Sequence, residues 1–212
     1  EGGINNANGD GLHGGNDDDD NSGIIKYVRL EFGGYPFQPD REINGVTFGS
    51  VGRGTVVDYV QVSYANDDAF EFFGGTVNCK HLISFRNLDD DFDTDNGYRG
   101  KIQFGIAIRD TAIADQAAGG ASNSFETDND GSGTASQPFT APVFSNMTII
   151  GPFFNSTTTI ATNFRRGAHI RRNSRLSLFN SVIMGWPSAG AGILIDGTTT
   201  EANCTNNDLE VA

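Results

Sequence analysis

Five aspartates fall within seven positions of this sequence, at Asp89, Asp90, Asp91, Asp93 and Asp95, with Arg99 and Lys101 close behind. Carboxylates this dense repel one another, by about 1 kcal/mol per pair at ~4 Å even in bulk water. Three remedies exist: a hard cation such as Ca²⁺, which gathers carboxylate oxygens; a raised pKa, so that a carboxyl keeps its proton; or neutralisation by Arg99 and Lys101. Each implies a chemistry. Ca²⁺ on Asp91, Asp93 and Asp95 could acidify the proton beside a bound uronate carboxylate, with Arg99 or Lys101 as the base that removes it. Alternatively, Asp90 with Asp93 and Asp95 could supply the protonated and ionised carboxyl pair of a glycoside hydrolase. The spacing is not that of an EF-hand, because Gly97 comes one residue late and Ile102 stands where the bidentate Glu belongs. Glu126-x-Asp128-x-Asp130-Gly131 places its Gly correctly but begins with Glu and ends on Gln137. The plain alternative is an acidic turn whose side chains cap backbone amides.

A repeat positions these residues. Asp67-Asp68-Ala69-Phe70-Glu71-Phe72-Phe73-Gly74-Gly75 returns as Asp89-Asp90-Asp91-Phe92-Asp93-Thr94-Asp95-Asn96-Gly97 at an offset of 22. A period in the low twenties with short β-branched and aromatic runs between Gly, Asn and Asp predicts an all-β solenoid, a parallel β-helix with coils of about 22 residues. Phe70 should stack on Phe92 inside, and Gly75 on Gly97 at a turn. With Phe92 and Thr94 inward, strand alternation puts Asp91, Asp93 and Asp95 outward, and Glu71 outward against Asp93. Glu71, Asp89, Asp91, Asp93 and Asp95 are therefore the predicted Ca²⁺ ligands. Further strands are expected over 24–32, 56–64, 81–85, 143–150, 176–184 and 192–195. Residues 101–109 read as a strictly alternating strand, with Ile102, Phe104, Ile106 and Ile108 on one face. Gly2–Gly23, Asp110–Pro142 and Gly151–Asn163 read as loops leaving the stack, and Asp17–Asp20 as solvated loop. No boundary divides residues 1–212.

Composition narrows the partners. Net charge is −13 with Phe at 16 of 212 residues, so a folded core is expected and nucleic acid is not, since phosphates demand a basic stripe. No apolar run approaches the length of a membrane-spanning helix. The chain opens Glu1-Gly2-Gly3-Ile4, as a processed or excised segment would. Cys79 and Cys204 are expected as unpaired thiols rather than a disulfide. Five of the fourteen basic residues, Arg165, Arg166, Arg171, Arg172 and Arg175, crowd eleven positions. They could grip a sugar acid or sulfate with bidentate forks, or pair internally with the acidic coils. His81 and His169 are expected to stack on equivalent residues in neighbouring coils.

Beyond these readings, the chain resembles a known family. Gly14-Gly15-Asn16-Asp17, Arg29-Leu30-Glu31-Phe32, Glu42-Ile43-Asn44-Gly45-Val46-Thr47-Phe48-Gly49, the two acidic repeats and Pro142-Val143-Phe144-Ser145-Asn146-Met147-Thr148-Ile149-Ile150-Gly151-Pro152 are similar to secreted proteins of Bacteroidota and related bacteria with a pectate-lyase-like right-handed β-helix. The resemblance implies right-handed coils, export to the cell surface or beyond, and a segment of a longer solenoid. It transfers no catalytic residues. The expected function is an extracellular glycan-binding, adhesive or structural element stiffened by Ca²⁺. The alternatives are a Ca²⁺-dependent polyuronate lyase or pectinolytic hydrolase, and a filament subunit self-associating through open coil ends.

Overall fold

A computed structural model describes residues 8–9, 11–38, 41–116, 120–187 and 191–212. Its strands are β1 (Ile24–Glu31), β2 (Tyr35–Gln38), β3 (Arg41–Ile43), β4 (Val46–Gly49), β5 (Val56–Ser63), β6 (Phe70–Phe73), β7 (Asn78–Phe85), β8 (Phe92–Asp95), β9 (Lys101–Ile108), β10 (Phe125–Thr127), β11 (Val143–Ile150), β12 (Ala168–Ile170), β13 (Ser177–Phe179), β14 (Val182–Met184) and β15 (Ile193–Ile195); one helix, α1 (Thr198–Thr205), follows. Long strands join in a seven-stranded sheet in the order β1-β5-β7-β9-β11-β13, with β14 also on β11. Short strands form a second sheet, β15-β12-β10-β8-β6-β4. Every pair in both sheets is parallel; among the described residues the β2–β3 hairpin alone is antiparallel. Each coil thus contributes one long and one short strand, and the architecture is a parallel β-helix.

Phe70 pairs with Phe92 in register, and their rings stack at 5.6 Å. Phe92 then stacks on Phe125 at 5.4 Å, and a parallel column runs Phe48–Phe72–Tyr98 at 4.9 and 4.5 Å. All six rings are buried. Burying a side chain of this size contributes about 1.5–3 kcal/mol, and stacking with ring centroids in this range adds to it.

The expected alternation of β9 is only half right. Ile102 is buried, but Phe104 and Ile106 are exposed, while Gly105, Ala107 and Arg109 point inward. The cause is a left-handed residue in mid-strand: Phe104 has φ 63°, and its equivalents Tyr27, Tyr59, His81 and Asn146 have φ between 52° and 57°. One residue in this conformation acts like a bulge, bending the strand and inverting the side-chain phase beyond it. The long strand therefore covers two faces of the coil with a corner between them.

The 22-residue spacing holds for the middle coils and stretches elsewhere. Thr94 stacks on Thr127, 33 residues on, and Asp128 meets Arg171, 43 residues on. Asp110–Pro142 is accordingly not one excursion, because β10 returns from it to the stack carrying Phe125. The acidic N-terminal run also packs back. Arg53 pairs with Asp18 and Asp19, Arg99 pairs with Asp18, and Thr76 donates to the Asp18 carbonyl. Gly52 and Gly54 admit this strap, since a Cβ at either would lie 2.5–2.6 Å from the backbone of Asp19 or Asp20. Both cysteines are free thiols, Cys79 buried and Cys204 exposed.

Candidate functional site: an acidic face on the short-strand sheet

In each short strand the second residue points out of the coil, because the first and third fill the core. Register stacks these outward residues into one row: Glu71 on β6, Asp93 on β8, Glu126 on β10 and His169 on β12. A second row lies two residues before each strand. There Asp68 accepts the backbone N–H of Asp90 at 2.8 Å, and Asp90 accepts that of Asn123. The backbone ladder thus fixes both rows at the coil spacing of ~4.8 Å.

Three overlapping carboxylate triads result, each with ligand atoms within 4.8 Å of one another: Asp67, Asp68 and Asp89; Asp68, Glu71 and Asp93; Asp90, Asp93 and Glu126. Asp68 links the first two and Asp93 the last two. Among the described residues Asp68, Glu71, Asp89 and Asp93 form no ion pair with a basic side chain. Glu71 is 4% exposed, yet its Oε1 has no hydrogen-bond partner, and neither has Oδ1 of Asp89. A buried oxygen left unmatched costs about 1–3 kcal/mol.

Proton affinity rises accordingly. Burial lifts Glu71 to about 8, with the charges of Asp95 and Asp67 adding to it. Burial, then the charge of Asp90, lifts Glu126 to about 8. Asp93 is pushed well above the carboxylate range by burial and by Glu71 and Glu126, and Asp68 by burial and by Asp67 and Asp89. Asp90 rises only to about 6, since burial is opposed by the Asn123 N–H and by Arg109. At the far end, Arg171 bonds Glu126 and Asp128, at 2.8 Å to the Asp128 Oδ1, and Arg172 adds a 2.6 Å bond to Asp128. His169 Nε2 donates to the Asp196 carboxylate across 3.0 Å, and its buried Nδ1 lies 3.9 Å from Glu126. Among the described residues, basic side chains therefore meet the Glu126 end of the face and not the Glu71 end.

Of the residues expected to bind metal, Glu71, Asp89 and Asp93 lie in these triads. Asp91 does not. It precedes β8, where alternation has not begun, and points inward to Ser84, Ser124 (2.8 Å) and Arg109 (3.2 Å), fully buried. Asp95 closes β8 beside Phe73 and accepts the N–H of Asn96, outside the triads. Of the expected catalytic groups, Asp90 belongs to the third triad. Arg99 instead reaches Asp18 at 2.9 Å, and exposed Lys101 opens β9 on the other sheet. The arginine cluster divides: Arg171 and Arg172 pair with acids, Arg165 bonds the Thr162 carbonyl, Arg166 stands near His169, and Arg175 meets Asp208 and the Phe139 ring. His81 stacks between Tyr59 and Phe104, as the repeat predicts, whereas His169 has ionic neighbours rather than a ring stack. Glu126 is the residue the repeat missed. Its signal was present, since Asn123-Ser124-Phe125-Glu126-Thr127 parallels Asp90-Asp91-Phe92-Asp93-Thr94.

Parallel coils bearing a carboxylate-rich outer face on their short strands define a parallel β-helix. Residues 5–212 match the model of the pectate-lyase like beta helix domain, and the chain belongs to that family. No curated protein and no solved structure matches it.

Proposed function

We propose that the acidic face holds a divalent cation, Ca²⁺ by its oxygen-only donor set, and uses it to bind an acidic polysaccharide outside the cell. The observation that carries this reading is the Asp68–Glu71–Asp93 triad: three carboxylates within 4.8 Å, unneutralised by any basic side chain among the described residues, with a buried and unpartnered Glu71 oxygen. Such a set suits a hard cation that accepts several carboxylate oxygens and can complete its shell with a ligand carboxylate. Family membership supports a carbohydrate ligand. Binding is favoured over elimination by the disposition of the cations. Arg99 is committed to Asp18, Lys101 lies on the other sheet, and Arg171 is held by Glu126 and Asp128, so none is placed as a free base beside the triad.

The test is retention on immobilised polygalacturonate and alginate with Ca²⁺ or EDTA, alongside ultraviolet assay for unsaturated uronate products. Retention is expected in Ca²⁺, lost in EDTA, and weakened roughly tenfold or more in Asp93→Asn. Retention indifferent to EDTA, or none at all, contradicts the reading. Accumulating unsaturated product would assign the face to a lyase.

A further inference from the structure

A second face, far from the carboxylates in character, carries its own array. The left-handed corner of the long strands presents Tyr27, Tyr59, His81 and Phe104 in one column, with ring centroids 4.9, 4.2 and 5.2 Å apart. These rings are not core: Tyr27 is 75% exposed, Phe104 45% and Tyr59 44%. The column continues as Asn146 and Asn180, whose side-chain amides bond each other. Beside it the bent strands form a groove of about 600 Å³ that crosses successive coils and is also lined by Gln61. An exposed aromatic stripe of this length is a cost to a soluble protein unless something covers it.

We propose that this groove binds a neutral polysaccharide chain lying along the solenoid axis. The charges decide the ligand class. Those at the groove are already matched: Arg29 pairs with Glu31 at 3.2 Å, and Asp58 pairs with Lys26 at 3.3 Å and His81 at 2.8 Å. Among the described residues lining the groove, no charge is left over to recognise an anion or a cation. A second copy of this chain would approach with another net charge of −13 over its whole surface, whereas a neutral glycan carries none. The chemistry also fits. Phenol, imidazole and amide tips recur at each coil among apolar ring edges. A linear glycan offers the matching alternation of hydroxyls and C–H surface, repeated along its length, and aromatic side chains with a polar end suit such half-wet contacts.

Affinity electrophoresis of the whole chain through gels containing hydroxyethylcellulose, galactomannan or mixed-linkage β-glucan tests this, run in EDTA so that the cation-dependent face is silent. Retardation by at least one of the three is expected, falling roughly tenfold in Tyr59→Ala and in Tyr27→Ala. Tyr27 is 75% exposed, so that variant keeps the fold even where Tyr59→Ala disturbs it. Failure of all three polymers to retard the protein, or retardation indifferent to Tyr27→Ala, overturns the proposal. So does a concentration-dependent dimer that Tyr27→Ala abolishes, which would assign the column to a second copy.

Discussion

Arg109→Ala is expected to destabilise the protein by about 3–5 kcal/mol, lowering its melting temperature by about 6–20 °C. Arg109 and Asp91 are both fully buried inside the coil. The guanidinium bonds Asp91 at 3.2 Å and the carbonyls of Asp89 and Leu88, and its plane lies over the Phe164 ring at 5.2 Å. It therefore ties the turn that carries Asp89 and Asp90 to the end of β9. Truncation leaves the Asp91 charge buried without its counterion. Burial already raises the Asp91 pKa, chiefly against the pull of Arg109, so the variant should take up a proton as well as lose stability. Replacing both partners, as in Arg109→Met with Asp91→Leu, should cost less than the single change, since no lone charge remains. A loss below about 1 kcal/mol in Arg109→Ala would show that the pair does not anchor the turn.

The second large effect is a fall in stability of the cation-free protein as pH rises from about 4.5 to about 8. Glu71 and Glu126 titrate near 8 in the folded chain and near 4.5 when unfolded. Below 4.5 both states are protonated and these groups cost nothing. Between 4.5 and 8 the unfolded chain sheds protons that the folded chain keeps, so each group withdraws up to about 1.4 kcal/mol per pH unit. Asp90 adds to the loss over the narrower interval from 3.8 to about 6. Asp58, Asp130 and Asp196, whose pKa values are lowered, act in the opposite sense only below about 4, and His169, whose pKa burial lowers from 6.5, offsets part of the loss below about 6.5. Glu71→Gln should therefore melt above the parent at pH 8 and follow a shallower slope. Ca²⁺ at about one hundred times its dissociation constant should restore about 2.7 kcal/mol to the parent there, or about 5–10 °C. Melting temperatures that climb through this interval without Ca²⁺ would contradict the raised proton affinities.

The sequence made the repeat legible because the middle coils share a spacing and a side-chain order. Phe70 over Phe92 and Glu71 over Asp93 follow from that alone. Three features were hidden for physical reasons. The left-handed corner at Phe104 inverts alternation without any glycine to announce it. The loop before Phe125 lengthens one coil to 33 residues, so Glu126 falls outside a search at 22. Asp91 reads as outward by counting back from Phe92, but side-chain direction alternates only within a strand, and Asp91 belongs to the turn. Beside the expected Glu71, Asp89 and Asp93, the carboxylate triads take in Asp67, Asp68, Asp90 and Glu126, and they leave out Asp91 and Asp95.

Titration calorimetry of Ca²⁺ into chelator-stripped protein at neutral pH, in two buffers of different protonation enthalpy, tests the central claim most directly. A cation entering the Asp68–Glu71–Asp93 triad must displace the proton that Glu71 holds there. Binding is expected to release protons to the buffer and to weaken roughly tenfold or more in Asp93→Asn and Glu71→Gln. No binding heat, or binding that releases no proton and survives both substitutions, would contradict a cation site on this face.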